Sequence, residues 1–191
     1  MRLNWLGRAA MNNPARGRLQ QEYVGKWFER LGGRVDAGRV LEVGCGQGAG
    51  IEVLRRRFGA ESVVALDLDV RMIARARRRI LFRPEYRAGL MIGDVTSLPA
   101  ADETFDAVFD FSAIHLVPEW ERALDEVARV LRRGGRYYFE WVTGKALRSL
   151  YGLVTEGFRR MHPPTPEVLL EALQRRGILV GRNFRSRGWR R

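Results

Sequence analysis

Three glycines alternate in Gly44-Cys-Gly-Gln-Gly48, between a short apolar stretch, Arg39-Val-Leu-Glu-Val43, and a segment of helical pattern from Gly48 to Phe58. Glycine takes positive φ without steric cost and lets the backbone approach a ligand closely, while a helix N-terminus offers free N–H donors. Turns of this kind serve many nucleotides, and Gly44, Gly46 and Ala49 also satisfy the G-x-G-x-x-[G/A] fingerprint of nicotinamide cofactors. Asp67, 19 residues beyond Gly48, ends the next apolar run, where a carboxylate can accept hydrogen bonds from both hydroxyls of a ribose. Each residue also has a purely structural reading: a tight turn for the glycines, a helix N-cap for Asp67. Asp94, after Gly93, and Glu42 bring two more carboxylates to the same region. Three acids with no lysine or arginine at the turn suit a pyrophosphate poorly. They suit a nucleoside that carries positive charge.

The elements that must position these residues alternate along the chain. Strands are expected at Arg39–Val43, Ser62–Asp67, up to Asp94 from Leu90, Phe105–Phe111 and Arg136–Val142. Helices are expected over Gly48–Phe58, Asp69–Leu81 and Glu119–Leu131, the last stopped by Gly134-Gly135. Strand–helix alternation of this length predicts an α/β fold, a Rossmann-like open and mostly parallel sheet with helices on both faces. In such sheets ligands bind beyond the carboxyl ends of the strands, where the order reverses, and the glycine turn, Asp67, Asp94 and Phe111 to His115 all fall there. A helix over residues 15–32 precedes the core, with Leu19, Tyr23, Trp27 and Leu31 spaced four apart on one face. After Thr143 the pattern loosens. A helix is expected from Pro166 to Arg176, capped by Thr165 and Gly177, and a strand from Ile178 to Phe184.

With these residues in order, the sequence resembles the class I S-adenosylmethionine-dependent methyltransferases, in their small "type 11" form. Val40-Leu-Glu-Val-Gly-Cys-Gly-Gln-Gly48 is similar to that family's first motif and Val64-Ala-Leu-Asp-Leu-Asp-Val-Arg-Met72 to its second. Gly93-Asp94 resembles the third, Phe105-Asp-Ala-Val-Phe-Asp-Phe-Ser-Ala-Ile-His115 the fourth-strand motif, and Ala123 to Gly135 the helix that leads into the fifth strand. The resemblance implies S-adenosyl-L-methionine as cofactor and S-adenosyl-L-homocysteine as product. It implies cofactor contacts from Glu42, Gly44, Cys45, Gly46, Gly48, Asp67, Leu68, Met72, Asp94, Val95 and Phe111, with Asp67 on the ribose and Asp94 on the adenine amino group. The rival short-chain dehydrogenases use Tyr-x-x-x-Lys, and neither Lys26 nor Lys145 has a tyrosine four residues earlier. The family's sheet usually closes with an antiparallel hairpin, and here the final strand looks truncated, which would leave the edge of the fifth strand bare. The organisation expected is one domain over 1–191: a helical cap at 1–33, a core at 39–143, a substrate-side segment at 144–164, and a C-terminal helix and strand at 165–191.

Methyl transfer from a sulfonium is an in-line displacement, for which alignment and exclusion of water supply much of the rate. A base matters only when the acceptor must lose a proton. His115, just past the fourth strand, is the candidate base, against the alternative that it packs on the cofactor or caps a helix; Glu140, Tyr23 and Asp110 are weaker candidates. The single cysteine, Cys45, reads as packing, since no second thiol supports pyrimidine-carbon methylation. The fourth strand also lacks the Asn/Asp-Pro-Pro-aromatic motif used on extruded bases. Both absences favour a small acceptor, and the aromatic and aliphatic residues around Tyr23, Trp27 and 144–164 favour an apolar or aromatic one: a quinone, a lipid or a natural-product scaffold.

Composition narrows the remaining classes. With 191 residues, 46% hydrophobic and 29% charged, the chain suits one globular domain. It has no apolar run near the roughly 20 residues of a membrane span, no leader pattern at its start, and too few cysteines and histidines for a dedicated metal site, so the cytoplasm is the expected location. The net charge is +12, and of 34 basic residues only two are lysine. So strong a preference for arginine fits GC-rich coding better than a polyanionic partner, and no basic run is interleaved with aromatics. An RNA-modifying or RNA-binding protein that uses the arginine surface still stays open as an alternative. So does a degenerate scaffold that keeps the cofactor site without turnover.

Overall fold

Val40, Leu41 and Val43 of strand β1 (Arg39–Val43) are almost wholly buried, because β1 is the centre of the sheet and is covered on both faces. Strands β2 (Ser62–Asp67) and β4 (Phe105–Asp110) flank it, β3 (Gly89–Ile92) lies outside β2, and β5 (Leu131–Phe139) lies outside β4. The order is β3-β2-β1-β4-β5 and every pairing is parallel. The direction of winding reverses between β1 and β4, the switch point at which open α/β sheets bind ligands. The computed structural model describes residues 23–141, 164–179 and 181. The expectations placed on Leu19, on the rest of 1–22, on nearly all of 144–164 and on 182–191 lie outside them.

Helices α1 (Gly25–Gly32), α2 (Ala49–Arg56) and α3 (Val70–Ile80) lie on one face of the sheet, and α4 (Trp120–Val130) and α5 (Pro166–Arg175) on the other. On the first face Phe28 of α1, Ile51 and Leu54 of α2, and Phe58 meet Val40, Val63, Phe109 and Tyr138. Phe109 and Tyr138 stack with centroids 4.4 Å apart and Phe58 meets Phe109 edge-on at 4.8 Å, geometries in which aromatic pairs add to simple burial. The second face gathers Leu41, Leu66, Val108, Leu124, Val127, Leu169 and Leu173. Thr165 caps α5 by accepting from the Val168 N–H, and Gly177 follows with φ 70°.

Three expectations change. The core face of α1 is Val24 and Phe28; Tyr23 is 46% exposed and Trp27 half-buried, because the aromatic cluster on the sheet sits one position further round the helix. The fifth strand begins at Leu131, directly after α4. Leu131 pairs with Phe105 and Arg136 with Ala107, so Arg132 to Gly135 bulge outward and the two glycines serve the bulge rather than end a helix. Of the strand expected over 178–184, residues 178, 179 and 181 are described and none is in a strand.

Candidate active site

β1 delivers its chain to the turn, and Gly44, Gly46 and Gly48 all have positive φ, at 66°, 53° and 79°. At Gly44 a Cβ would lie 2.3 Å from Cβ of Ala113, so the loop after β4 rests directly on the turn. At Gly46 a Cβ would meet nothing within 4 Å, so the backbone there faces open space. The turn is held from behind: the Cys45 N–H donates to the Leu66 carbonyl at 2.9 Å and the Gly46 N–H to Oδ2 of Asp67 at 2.8 Å. Oδ1 of Asp67 accepts from the Asp69 N–H at 2.8 Å. The N-cap of α3 is Asp69, which accepts from the Arg71 N–H, so Asp67 is not the cap of that helix. Burial raises the Asp67 carboxyl above its ordinary range, against the pull of these two N–H donors.

Asp94 reaches the same edge, since the Gly93 N–H donates to the Asp67 carbonyl at 3.1 Å. Its side chain is exposed and accepts from the N–H and Oγ1 of Thr96 at 2.9 and 2.8 Å, which holds its carboxyl below the ordinary range. Leu68 and Val95 are half-buried beside these two acids. Three other expected contacts are buried. Met72 is buried under α3, Phe111 stacks on Phe28 at 5.3 Å, and Glu42 is 1% exposed against the first turn of α2. Burial, and next the charge of Asp67, push the Glu42 carboxyl up to about 8, with Arg79 opposing. Burial likewise pushes the Cys45 thiol far up, which disfavours the thiolate.

Asp110 organises the loop that carries His115. Wholly buried, it accepts from the N–H of Ala113 at 2.6 Å and of Ile114 at 3.3 Å, and from the Tyr137 hydroxyl at 3.2 Å. These donors take the place of an arginine, and burial holds the carboxyl at about 7 in spite of them. Ser112 has φ 66° and donates its hydroxyl to Glu140, which ties this loop to the end of β5. His115, 4% exposed in a single 3-10 turn over Ile114–Leu116, has its ring 5.8 Å from that of Trp141. Trp141 also meets Trp120 at 6.0 Å and donates from Nε1 to the Pro164 carbonyl at 3.3 Å. Ser112, Tyr137 and Trp141 were not foreseen: their roles come from β4–β5 pairing, which no local pattern announces. Among the described residues no cluster of His, Cys, Asp and Glu could hold a metal, and no helix is long and apolar enough to cross a membrane.

A family model described as "Methyltransferase domain" matches residues 41–139, from β1 to the end of β5. The chain belongs to the class I S-adenosylmethionine-dependent methyltransferases. It is similar to a fatty-acid O-methyltransferase of Mycolicibacterium smegmatis, at 43% identity over 107 residues, 55% of this chain and 37% of that protein. It is similar also to a phthiotriol/phenolphthiotriol dimycocerosates methyltransferase of Mycobacterium tuberculosis, at 39% identity over 114 residues, 58% of this chain and 40% of that one. The chain thus spans well under half the length of these relatives. Among solved structures, a SAM-dependent methyltransferase from Aquifex aeolicus superposes with a TM-score of 0.70 at 22% identity, covering 95% of this chain and 92% of that one, a likeness of fold. The glycine turn after β1 and Asp67 at the end of β2 lie at the carboxyl edge of the sheet, beside the β1–β4 switch point.

Proposed function

We propose that this chain binds S-adenosylmethionine and directs its methyl group to a small apolar acceptor of lipid character. The observation that carries the reading is the Gly46–Asp67 pair: a backbone open on one side, and a raised carboxylate fixed beside it through the 2.8 Å bond from the Gly46 N–H. The residues fit the cofactor. Asp67 has oxygen lone pairs left for ribose hydroxyls, Asp94 stands exposed at the end of β3 for an exocyclic amine, and the open space at Gly46 admits a ligand against the backbone. S-adenosylmethionine supplies a methyl group activated by a sulfonium.

The chain's own contribution is alignment and dryness. Asp110 and Ala113 hold the post-β4 loop down on Gly44, which keeps His115 and Trp141 at one side of the site. Where the acceptor is a hydroxyl, His115 takes its proton. Where it is a carboxylate, none need be removed. The lipid character rests on the relatives named for fatty-acid and phthiotriol methylation, at 43% and 39% identity. Calorimetric titration with S-adenosylmethionine and S-adenosylhomocysteine tests the reading, with micromolar binding of both expected and lost in Asp67→Ala. Retention of affinity by a folded Asp67→Ala protein, or no binding by the folded wild type, would overturn it.

A further inference from the structure

The outward side of α3 and the turn after it hold none of the residues assigned above to the cofactor or the acceptor. α3 buries Met72 and Ala76; Arg71, Arg75 and Arg78 stand on the opposite side, and their three- and four-residue spacing runs on to Phe82. Phe82 is 86% exposed and Leu81 64% exposed, two adjacent apolar side chains left in water at the end of a helix. From Arg71 to Arg87 the chain carries seven arginines and one acid, Glu85. The nearby acid Glu52 is already shared by Arg56, Arg79 and Arg83, at 3.4 to 3.5 Å. Among the described residues Arg71, Arg75, Arg77 and Arg78 pair with no carboxylate.

A scatter of arginines alone says little in a chain this rich in them. The pairing of uncompensated guanidinium groups with a bare Leu–Phe step is more specific. Guanidinium groups match phosphate oxygens in fork geometry, and apolar side chains beside them gain by leaving water for the acyl boundary beneath the headgroups. Single-stranded RNA would call for several aromatic platforms along its path, and here one leucine and one ring stand exposed at the helix end. We propose that α3 docks this chain on an anionic phospholipid bilayer, with the arginines over the lipid phosphates and Leu81 and Phe82 inserted between headgroups. This surface is separate from the cofactor site, and the proposal does not depend on the methyl-transfer reading.

The test is co-sedimentation of the full chain with vesicles of phosphatidylcholine alone and of equal phosphatidylcholine and phosphatidylglycerol, at 0.1 and 0.5 M salt. Partition onto the anionic vesicles is expected to exceed that onto neutral ones by at least roughly tenfold, and to fall at the higher salt. R75Q/R78Q should weaken it by about fivefold per arginine removed. L81S/F82S should weaken it by roughly tenfold at both salt concentrations. All these side chains are exposed, so both variants should keep the wild-type thermal midpoint, which serves as the control for folding. Equal partition onto neutral and anionic vesicles would overturn the proposal. So would wild-type partition by L81S/F82S, and a single-stranded RNA that binds both proteins alike would then assign the surface to nucleic acid.

Discussion

The carboxyl of Glu42 occupies the space that a side chain at residue 50 would need: a Cβ built on Gly50 would lie 2.0 Å from Oε1 of Glu42. Gly50 is the second residue of α2, so the helix can start over a buried acid of β1 only because this position has no side chain. Both oxygens of Glu42 are buried without a hydrogen-bond partner among the described residues.

Gly50→Ala is therefore expected to destabilise the protein even though alanine is the better helix former by about 1 kcal/mol. The clash with a buried group outweighs propensity, and a net loss of about 1–3 kcal/mol should appear in urea unfolding. Glu42→Ala should relieve it, so that the double variant is more stable than the sum of the singles predicts. An additive pair would show that the two residues do not compete for the same space.

Glu42 also imposes a pH dependence. Folded, it keeps its proton up to about pH 8; unfolded, it loses it near 4.5. Between those values the folded state holds more protons, so stability falls as pH rises, by on the order of a few kcal/mol, and levels off above pH 8. Asp110 acts in the same direction between its ordinary 3.8 and about 7. Glu42→Gln copies the protonated acid and removes one contribution. Its unfolding free energy should decline less than that of wild type between pH 5 and pH 8; parallel curves would mean that Glu42 is ionised in the fold.

Much of the frame could be read from local pattern. Arg39–Val43 and Ser62–Asp67 are apolar runs with turn residues at both ends, and the strands occupy those spans. The caps of α5 act locally, Thr165 through its own hydroxyl on the Val168 N–H and Gly177 through its own positive φ, so their residue types suffice. What could not be read depends on neighbours far along the chain. Tyr23–Trp27 and Val24–Phe28 have the same spacing, and only Phe109, Phe111 and Tyr138 decide that the second pair faces the core. The bulge at Arg132–Gly135 leaves no periodic trace, because its residues are outside the ladder. The place of Glu42 beside the turn is legible in sequence; its burial is not, because it follows from α2 lying over it.

Asp110 should prove structural. Asp110→Ala leaves the N–H groups of Ala113 and Ile114 and the Tyr137 hydroxyl without their acceptor, a loss of about 3 kcal/mol or more. Asp110→Asn should cost far less, because its carbonyl can take the Ala113 N–H while its amide donates to a Tyr137 hydroxyl turned to accept. Chemical denaturation of the two variants checks the order. Equal losses would mean that negative charge, rather than hydrogen-bond geometry, holds the loop.

His115 can be tested by the acidity of the acceptor. The residue is 4% exposed and its ring lies 5.8 Å from that of Trp141, a packed position that a base and a merely positioning residue would share. A fatty acid near neutral pH is already a carboxylate and needs no base; a secondary alcohol does. If His115 is the base, His115→Asn lowers kcat by about 100-fold or more on an alcohol acceptor and by only a few-fold on a carboxylate. A residue that merely positions Trp141 would lower both equally and would alter tryptophan emission in the protein without substrate. Comparing the two acceptors in one preparation separates proton transfer from packing, because any loss of folded protein affects both rates alike.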